Sequence, residues 1–468
     1  MTSYENSGGV SNLRRQGVPL GARRPAMAGV APSRALPWDL LLIAAAALIL
    51  ISVGRLHSFI PGAGAFRPAL LAAVLAVPAL ILSHRGARRI RLLRSPLGYA
   101  MGFIFLWATL GAPFALYPGY AFRTLLEGFY RTGVIVLVIA ASVRNVRDLE
   151  RLLKVYALGA IAFSVLGTGA GFRAFGGGGY DPNDAALFVV SGLPLVAYFL
   201  IRSRTVVGRL LFGFGLLACV SAVVLSGSRG GYIAFGAVSA FILIGFKGLK
   251  APVRIGVVAA LAGAIAFSAS DDFWERLESI NDPDDYNLHS PGGRVAVWER
   301  GMEYMAANPL LGVGVNNFTA AEGQHPSIRA DIEVGRGRKY SAAHSIWVQI
   351  GADLGVPGLI ALLLVFGMAT RLLWTTDRLP GGLRARGDPD LRTLSEMGRP
   401  LIGVLLAVAV GGSFLSHAYT GTLWLPLALV LGLQKVQYLR NRQIARAGTH
   451  PAMGIAAPGA RPRRGRGR

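Results

Sequence analysis

Twelve runs of apolar residues divide this chain, each close to the length that crosses a hydrocarbon core. They cover about 36–54, 66–83, 96–116, 126–143, 155–171, 185–201, 208–226, 231–246, 253–269, 355–373, 400–416 and 422–436. A bilayer takes roughly 20 residues of α-helix. Within it, backbone N–H and C=O groups must be satisfied by the protein itself, so repeated runs of this kind mean helices. The fourth run is the weakest, because Glu127 and Arg131 stand at its start. Only 15% of the residues are charged, against about 25% in soluble domains. The expected fold is therefore an all-α integral membrane protein of about twelve transmembrane helices. The first run is long and follows a basic tail, which reads as a retained anchor and not as a cleaved signal.

The net charge of +24 would suit nucleic acid if it were clustered on a soluble domain, but its distribution argues otherwise. With the N-terminus in the cytoplasm, 35 of the 48 Lys and Arg residues fall on cytoplasmic segments. That is the positive-inside bias. It places both termini inside and residues 271–344 outside. Residues 1–35 read as a disordered tail and 437–468 as a basic cytoplasmic one, its end, 449–468, rich in Gly, Pro and Arg. Residues 375–398 read as a connector. The single cysteine, Cys219, lies inside the seventh run, so the external segments hold no disulfide and Cys219 reads as a packing residue.

The external block 271–344 separates nine spans (36–270) from the last three (345–436). Its 74 residues carry 12 of the 24 acidic residues. Within it, Gly293–Ala307 has apolar residues Val295, Trp298, Met302 and Met305 at helical spacing, and Asn308-Pro309 ends the pattern. The spans are nearly free of charge, whereas coupled transporters keep ionisable groups inside them. Short polar motifs instead cluster at span ends on the outer side: Tyr180 to Asp184, Ser226 to Gly231, and Ser416 to Tyr419. These motifs are placed to face one another around the large loop.

Three groups there have the chemistry of a site. Arg229 sits in a tight Ser-Arg-Gly-Gly turn, where glycines let backbone N–H groups approach a ligand. Arg294 starts a helix, whose free N–H groups and dipole also favour an anion. His344 precedes a long helix, and histidine is the residue type suited to act as a base near neutral pH. Two arginines and a histidine suit a diphosphate and a nucleophilic hydroxyl. Each residue also has a purely structural reading. Arg229 fits a helix cap, Arg294 a surface ion pair, and His344 an interfacial capping residue. Asp181 and Asn183 fit turn formers beside Pro182, and Trp298 and Trp347 fit packing residues.

The order and flanks of these motifs carry a resemblance. Ser-Gly-Ser-Arg-Gly-Gly at 226–231 is followed by Gly-Arg-x-x-x-Trp at 293–298 and Asn-Pro-Leu-Leu-Gly-Val-Gly at 308–314. Ala-His-Ser at 343–345 and Gly-Val-Pro-Gly-Leu at 355–359 come next, and Asp181-Pro182-Asn183 precedes them all. This resembles the membrane domain of bacterial O-antigen ligases and O-antigen or exopolysaccharide polymerases. The resemblance implies a GT-C-like glycosyltransferase in the bacterial inner membrane, with its active site periplasmic. Its donor would be a glycan on undecaprenyl diphosphate. Its acceptor would be a lipid A-core hydroxyl for a ligase, or another lipid-linked glycan for a polymerase. Arg229 and Arg294 would hold the diphosphate and His344 would be the catalytic base. Asp181, Asn183, Trp298 and His417 would be candidate substrate contacts. The reaction would be inverting, with no metal and no cofactor. The motifs do not separate ligase from polymerase; transfer to protein hydroxyls is a further outcome, and a transporter of lipid-linked sugars is the alternative from another class. Two features depart from the pattern. Ser345 stands where the family often has Asn, and Asp282-Pro283-Asp284 has a spacing that suits a cation, although a solvated turn explains it as well.

Overall fold

In the computed structural model the described residues are 32, 34–54, 68–82, 86–170, 182–246, 293–333, 341–377 and 388–449, with isolated positions between 254 and 275. Every element among them is helical. The first group is α1 (Leu40–Ile49, continued by a π turn Leu50–Gly54), α2 (Pro68–Leu82), α3 (Gly86–Arg91) and α4 (Pro96–Gly111). Next come α5 (Pro118–Thr124), a π turn Leu125–Phe129, and α6 (Tyr130–Ser142). Then follow α7 (Val146–Ala170), α8 (Pro182–Arg202), α9 (Val206–Ser226) and α10 (Arg229–Gly245). The polar block supplies α11 (Arg294–Ala307), α12 (Phe318–Gln324) and α13 (Pro326–Glu333). The chain closes with α14 (Ile346–Asp377), α15 (Pro389–Gly412) and α16 (Gly421–Thr449).

Every apolar run except the ninth falls on a helix; of 253–269 only isolated residues are described. Six helices are long and apolar enough to cross a membrane by length and composition. They are Pro96–Phe114, Pro118–Ser142, Pro182–Arg202, Val206–Ser226, Ile346–Thr376 and Pro389–Gly412. Leu40–Val53 and Arg229–Gly245 are apolar but shorter. α8 is the most enclosed of the six, packed by α7, α9, α10 and α15. Cys219 is fully buried, and its sulfur accepts a hydrogen bond from Ser164 at 3.4 Å.

Local chemistry fixes the helix starts. Asp39, Ser95, Thr205 and Ser228 each accept a backbone N–H of the first turn they cap. Asp388 does the same for Asp390 and Leu391, and its carboxylate is also gripped by Arg440 of α16 at 2.8 Å. Asp388-Pro389-Asp390 is thus a buried cap and ion-pair clamp. The expected connector 375–398 is shorter than its composition implies, because α14 reaches Asp377 and α15 begins at Pro389. The last helix likewise runs on to Thr449, so the basic tail begins as helix. At the other terminus, Arg144 binds Asp39 and Asp148, and Arg151 donates to the Leu36 carbonyl, pinning residues 36–39 across the start of α7. The hydrogen bond to Asp148 raises the Arg144 pKa, against the effect of burial.

α11 follows the sequence expectation in extent but not in face. Val297, Arg300 and Gly301 are buried, whereas Met302 is 54% exposed. The reason is a polar pairing that hydrophobic periodicity ignores. Arg300 makes a two-pronged contact with Glu322 at 2.7 and 2.8 Å, and the Tyr304 hydroxyl donates to the same carboxylate. Pairing with Glu322 raises the Arg300 pKa, and burial together with Glu322 pushes the Tyr304 phenol upward. This rotates α11 so that Val297 and Tyr304 pack on Phe318 and Val348.

α14 starts at Ile346, nine residues before the apolar run it contains and about five after the helix start the sequence suggests near Ser341, and it is broken at Gly355 (φ 69). The loop after α11 threads into that break. Val313 and Gly314 donate to the carbonyls of Ala352 and Asp353, Val356 donates to Pro309, and the Trp107 indole bonds Leu310 and Leu354. Broken helices at membrane depth survive only where such partners replace the lost ladder. A Cβ at Gly355 would lie 2.6 Å from the carbonyl oxygens of both Pro309 and Leu310, on top of a backbone conformation that L residues avoid. Gly355→Ala is expected to lower the melting temperature in detergent by several degrees; an unchanged melting curve would show that the break is not a fixed joint.

Candidate active site

Five pieces of chain meet at the end of the bundle from which α14 starts. The first turn of α8 brings Asn183 and Asp184. α9 ends in Gly227, whose left-handed φ of 68° turns the chain directly into α10. Ser228 caps α10 by accepting from Gly231 N–H at 2.9 Å and donates to Asn183 Oδ1. The start of α8 is thereby tied to the turn that carries Arg229. Gly230 and Gly231 make room for close approach. A Cβ at Gly230 would stand 2.8 Å from Phe414, and one at Gly231 2.5 Å from Ala186.

Arg294 opens α11, and its guanidinium lies 5.6 Å from the centroid of the Phe414 ring, within the range of a cation–π contact. The first turns of α10 and α11 therefore flank one aromatic ring, each led by a half-buried arginine. Helix starts present free N–H groups and the positive end of the dipole, so two anion-favouring termini converge with two cations.

His344 stands just before α14 with φ 45, a conformation uncommon outside glycine. Its N–H donates to Ser416 Oγ at 2.8 Å. On either side, the Trp298 indole N–H donates to the Ala343 carbonyl at 2.9 Å and the Trp347 indole to Ser413 Oγ at 3.0 Å. Ser345 is buried, and its hydroxyl accepts from Val348 N–H at 3.5 Å as a long helix cap. Ser345 thus starts the helix.

The segment 413–419, between α15 and α16, is the hub. Ser413 and Ser416 hold the His344 strand, and Phe414 lies between the two arginine-bearing turns. His417 Nε2 meets Asp184 Oδ1 at 2.8 Å. Ala418 N–H donates to Gln349, and the Tyr419 hydroxyl donates to the buried Asp353 at 3.0 Å. Burial, and then the Asp353 carboxylate, push the Tyr419 phenol well above its ordinary pKa.

The structure thus brings together Asn183, Arg229, Arg294, Trp298, His344 and His417 around one turn, and the described parts of the polar motifs, 182–184, 226–231 and 416–419, face one another. Asp181, Asp282 and Asp284 lie outside the described residues. Among the described residues no group of three or more His, Cys, Asp or Glu side chains is placed to hold a metal ion. Sequence reasoning passed over Phe414 and Asp353. Phe414 carries no polar signal, and Asp353 lies just ahead of an apolar run whose true helix begins earlier. Asp353 stands in the first turns of Ile346–Thr376, ahead of the apolar run, and is fully buried there.

Every described element is helical, six helices are long and apolar enough to cross a membrane, and a grouping of two arginines and two histidines stands at the end of the bundle from which α14 starts. Residues 214–363 match the family model described as O-Antigen ligase. That stretch, which holds Arg229, Arg294 and His344, is an O-antigen ligase-family domain. Asn183, Asp184 and the 413–419 turn lie outside the matched residues. No curated protein is significantly similar to the chain.

Proposed function

We propose that the protein is an O-antigen ligase-type glycosyltransferase of the bacterial inner membrane, with about twelve spans in a GT-C-like arrangement and both termini cytoplasmic. It moves a glycan from undecaprenyl diphosphate to a lipid A-core hydroxyl on the periplasmic side. The observation that carries this reading is the convergence of the Arg229-bearing turn, Arg294 and His344, all within the family match, on the 413–419 turn.

The chemistry follows from that grouping. Arg229 and Arg294 hold the diphosphate, and they stabilise it further as negative charge grows on the leaving group. His344 takes the proton of the acceptor hydroxyl as its oxygen attacks the anomeric carbon from the opposite side, giving inversion. The glycosyl–phosphate bond breaks, undecaprenyl diphosphate leaves, and the glycosidic bond replaces it. The Leu- and Val-rich helices accommodate the polyprenyl chain. Cleavage of the glycosyl–diphosphate bond supplies the driving force.

The test is reconstitution of the purified protein with an undecaprenyl-diphosphate glycan and lipid A-core, with products resolved by gel and mass spectrometry. Glycan on lipid A-core supports the ligase. Longer chains still on undecaprenyl diphosphate make it a polymerase, and donor binding without a covalent product returns the transporter reading. In the active system, Arg229→Ala and Arg294→Ala are each expected to lower kcat by roughly 10²–10³-fold, the usual cost of losing one preorganised charge-stabilising donor. Wild-type kinetics in both variants would remove the diphosphate clamp.

A further inference from the structure

Asp184 and His417 form a pair whose chemistry the arginines and His344 leave unused. A carboxylate only accepts, so the 2.8 Å contact commits the hydrogen of the ring to Nε2. In the neutral form of the ring Nδ1 then carries a lone pair. It is buried and has no hydrogen-bond partner among the described residues. A buried polar atom left in this state is destabilising unless something else satisfies it. The ring is held in place by the carboxylate on one side and packs 6.4 Å from the Phe188 ring. A histidine oriented by an acid, with its second nitrogen buried and unpartnered among the described residues, is the arrangement of a poised acceptor.

The location says what that acceptor meets. Asp184 follows Asn183, which binds Ser228, the residue before Arg229. His417 follows Ser416, which holds the His344 N–H. The pair therefore bridges the arginine-bearing turn and the histidine strand. If the diphosphate lies at the first and the attacking hydroxyl at the second, the sugar being transferred lies between them. An acceptor nitrogen backed by a carboxylate does not bind phosphate oxygens. It binds a donor, and a sugar presents hydroxyls.

The geometry points to His417 Nδ1 as the group that accepts a hydrogen bond from a hydroxyl of the transferred sugar, with Asp184 as the residue that orients it. This inference rests on the proposed function and extends it to recognition of the glycan.

Two substitutions separate this role from a structural one. The amide of His417→Gln reaches the Nε2 position and keeps the Asp184 contact but loses Nδ1. The amide of His417→Asn overlays Nδ1 and can keep an acceptor there, but loses the Asp184 contact. Binding of undecaprenyl diphosphate and of its glycan-bearing form is measured for each protein in nanodiscs. His417→Gln is expected to bind undecaprenyl diphosphate like the wild type. It should bind the glycan-bearing form about five- to tenfold more weakly, the scale of one neutral hydrogen bond. His417→Asn should recover part of that loss. An equal glycan increment in wild type and His417→Gln would mean that Nδ1 meets only water, and would overturn the inference. So would a wild type that gains nothing from the glycan. Failure of the wild type to bind undecaprenyl diphosphate at all would instead bring down the proposed function.

Discussion

Replacing His344 with asparagine is expected to reduce transfer by about 10²–10⁴-fold, the usual contribution of a general base, while leaving the fold and donor binding intact. The choice of residue matters. His344 has φ 45, and Asn is among the few side chains that tolerate the left-handed region. Its backbone N–H can still reach Ser416, and Trp298 and Trp347 can still hold the flanking residues. The variant therefore removes the imidazole with little added strain. Single-turnover transfer and undecaprenyl-diphosphate binding are measured side by side. Transfer within threefold of wild type would exclude His344 as the base and turn attention to His417. Loss of binding together with transfer would make His344 part of the diphosphate site.

The left-handed backbone at His344 is informative in another way. A non-glycine residue keeps such a conformation when its surroundings over-determine it, at a cost of about 1–3 kcal/mol. Here three side-chain hydrogen bonds, one from Trp298 of α11 and two with the 413–419 turn, fix residues 343–347. No local sequence signal announces this, because the partners Trp298, Ser413 and Ser416 are 45 to 72 positions away in the chain.

Much of the helical layout was legible, since long apolar runs leave a chain in lipid few alternatives. Helix ends were less so. The sequence suggests a helix from about Ser341 into the apolar run at 355, and it begins instead at Ile346; its polar first turns, with Gln349 and Asp353, precede the rise in hydropathy. They are helical because those side chains find buried partners on the 413–419 turn and the 316–318 loop. The face of α11 was misread for the same kind of reason. Arg300 counts as surface in a hydrophobic pattern, but Glu322 supplies a buried partner that the pattern cannot contain. The candidate residues at 229, 294 and 344 were visible because their types and flanks are unusual at span ends. The turn that gathers them is named in the sequence only from Ser416 to Tyr419, since Phe414 acts by shape.

Asp353 is where these threads join, and its loss should produce the largest effect on stability. Its carboxylate, fully buried, accepts from Asn316 N–H at 3.0 Å, Phe318 N–H at 2.9 Å and the Tyr419 hydroxyl at 3.0 Å. One side chain thus links the loop that follows Arg294's helix, the helix that follows His344, and the turn that carries Phe414 and His417. Asp353→Leu leaves three donors without their acceptor, each worth about 1–3 kcal/mol when stranded in the interior. Part of that cost is relieved if Tyr419 turns away, so a total of roughly 3–5 kcal/mol is expected. Thermal unfolding in detergent should shift down by several degrees, and transfer should fall at temperatures where the variant is still folded. Asp353→Asn keeps an acceptor oxygen for part of the set and should lie between the two. If Asp353→Leu melts with the wild type, the joint does not hold the three segments together, and the convergence of arginines and histidine must be maintained by the 413–419 turn alone.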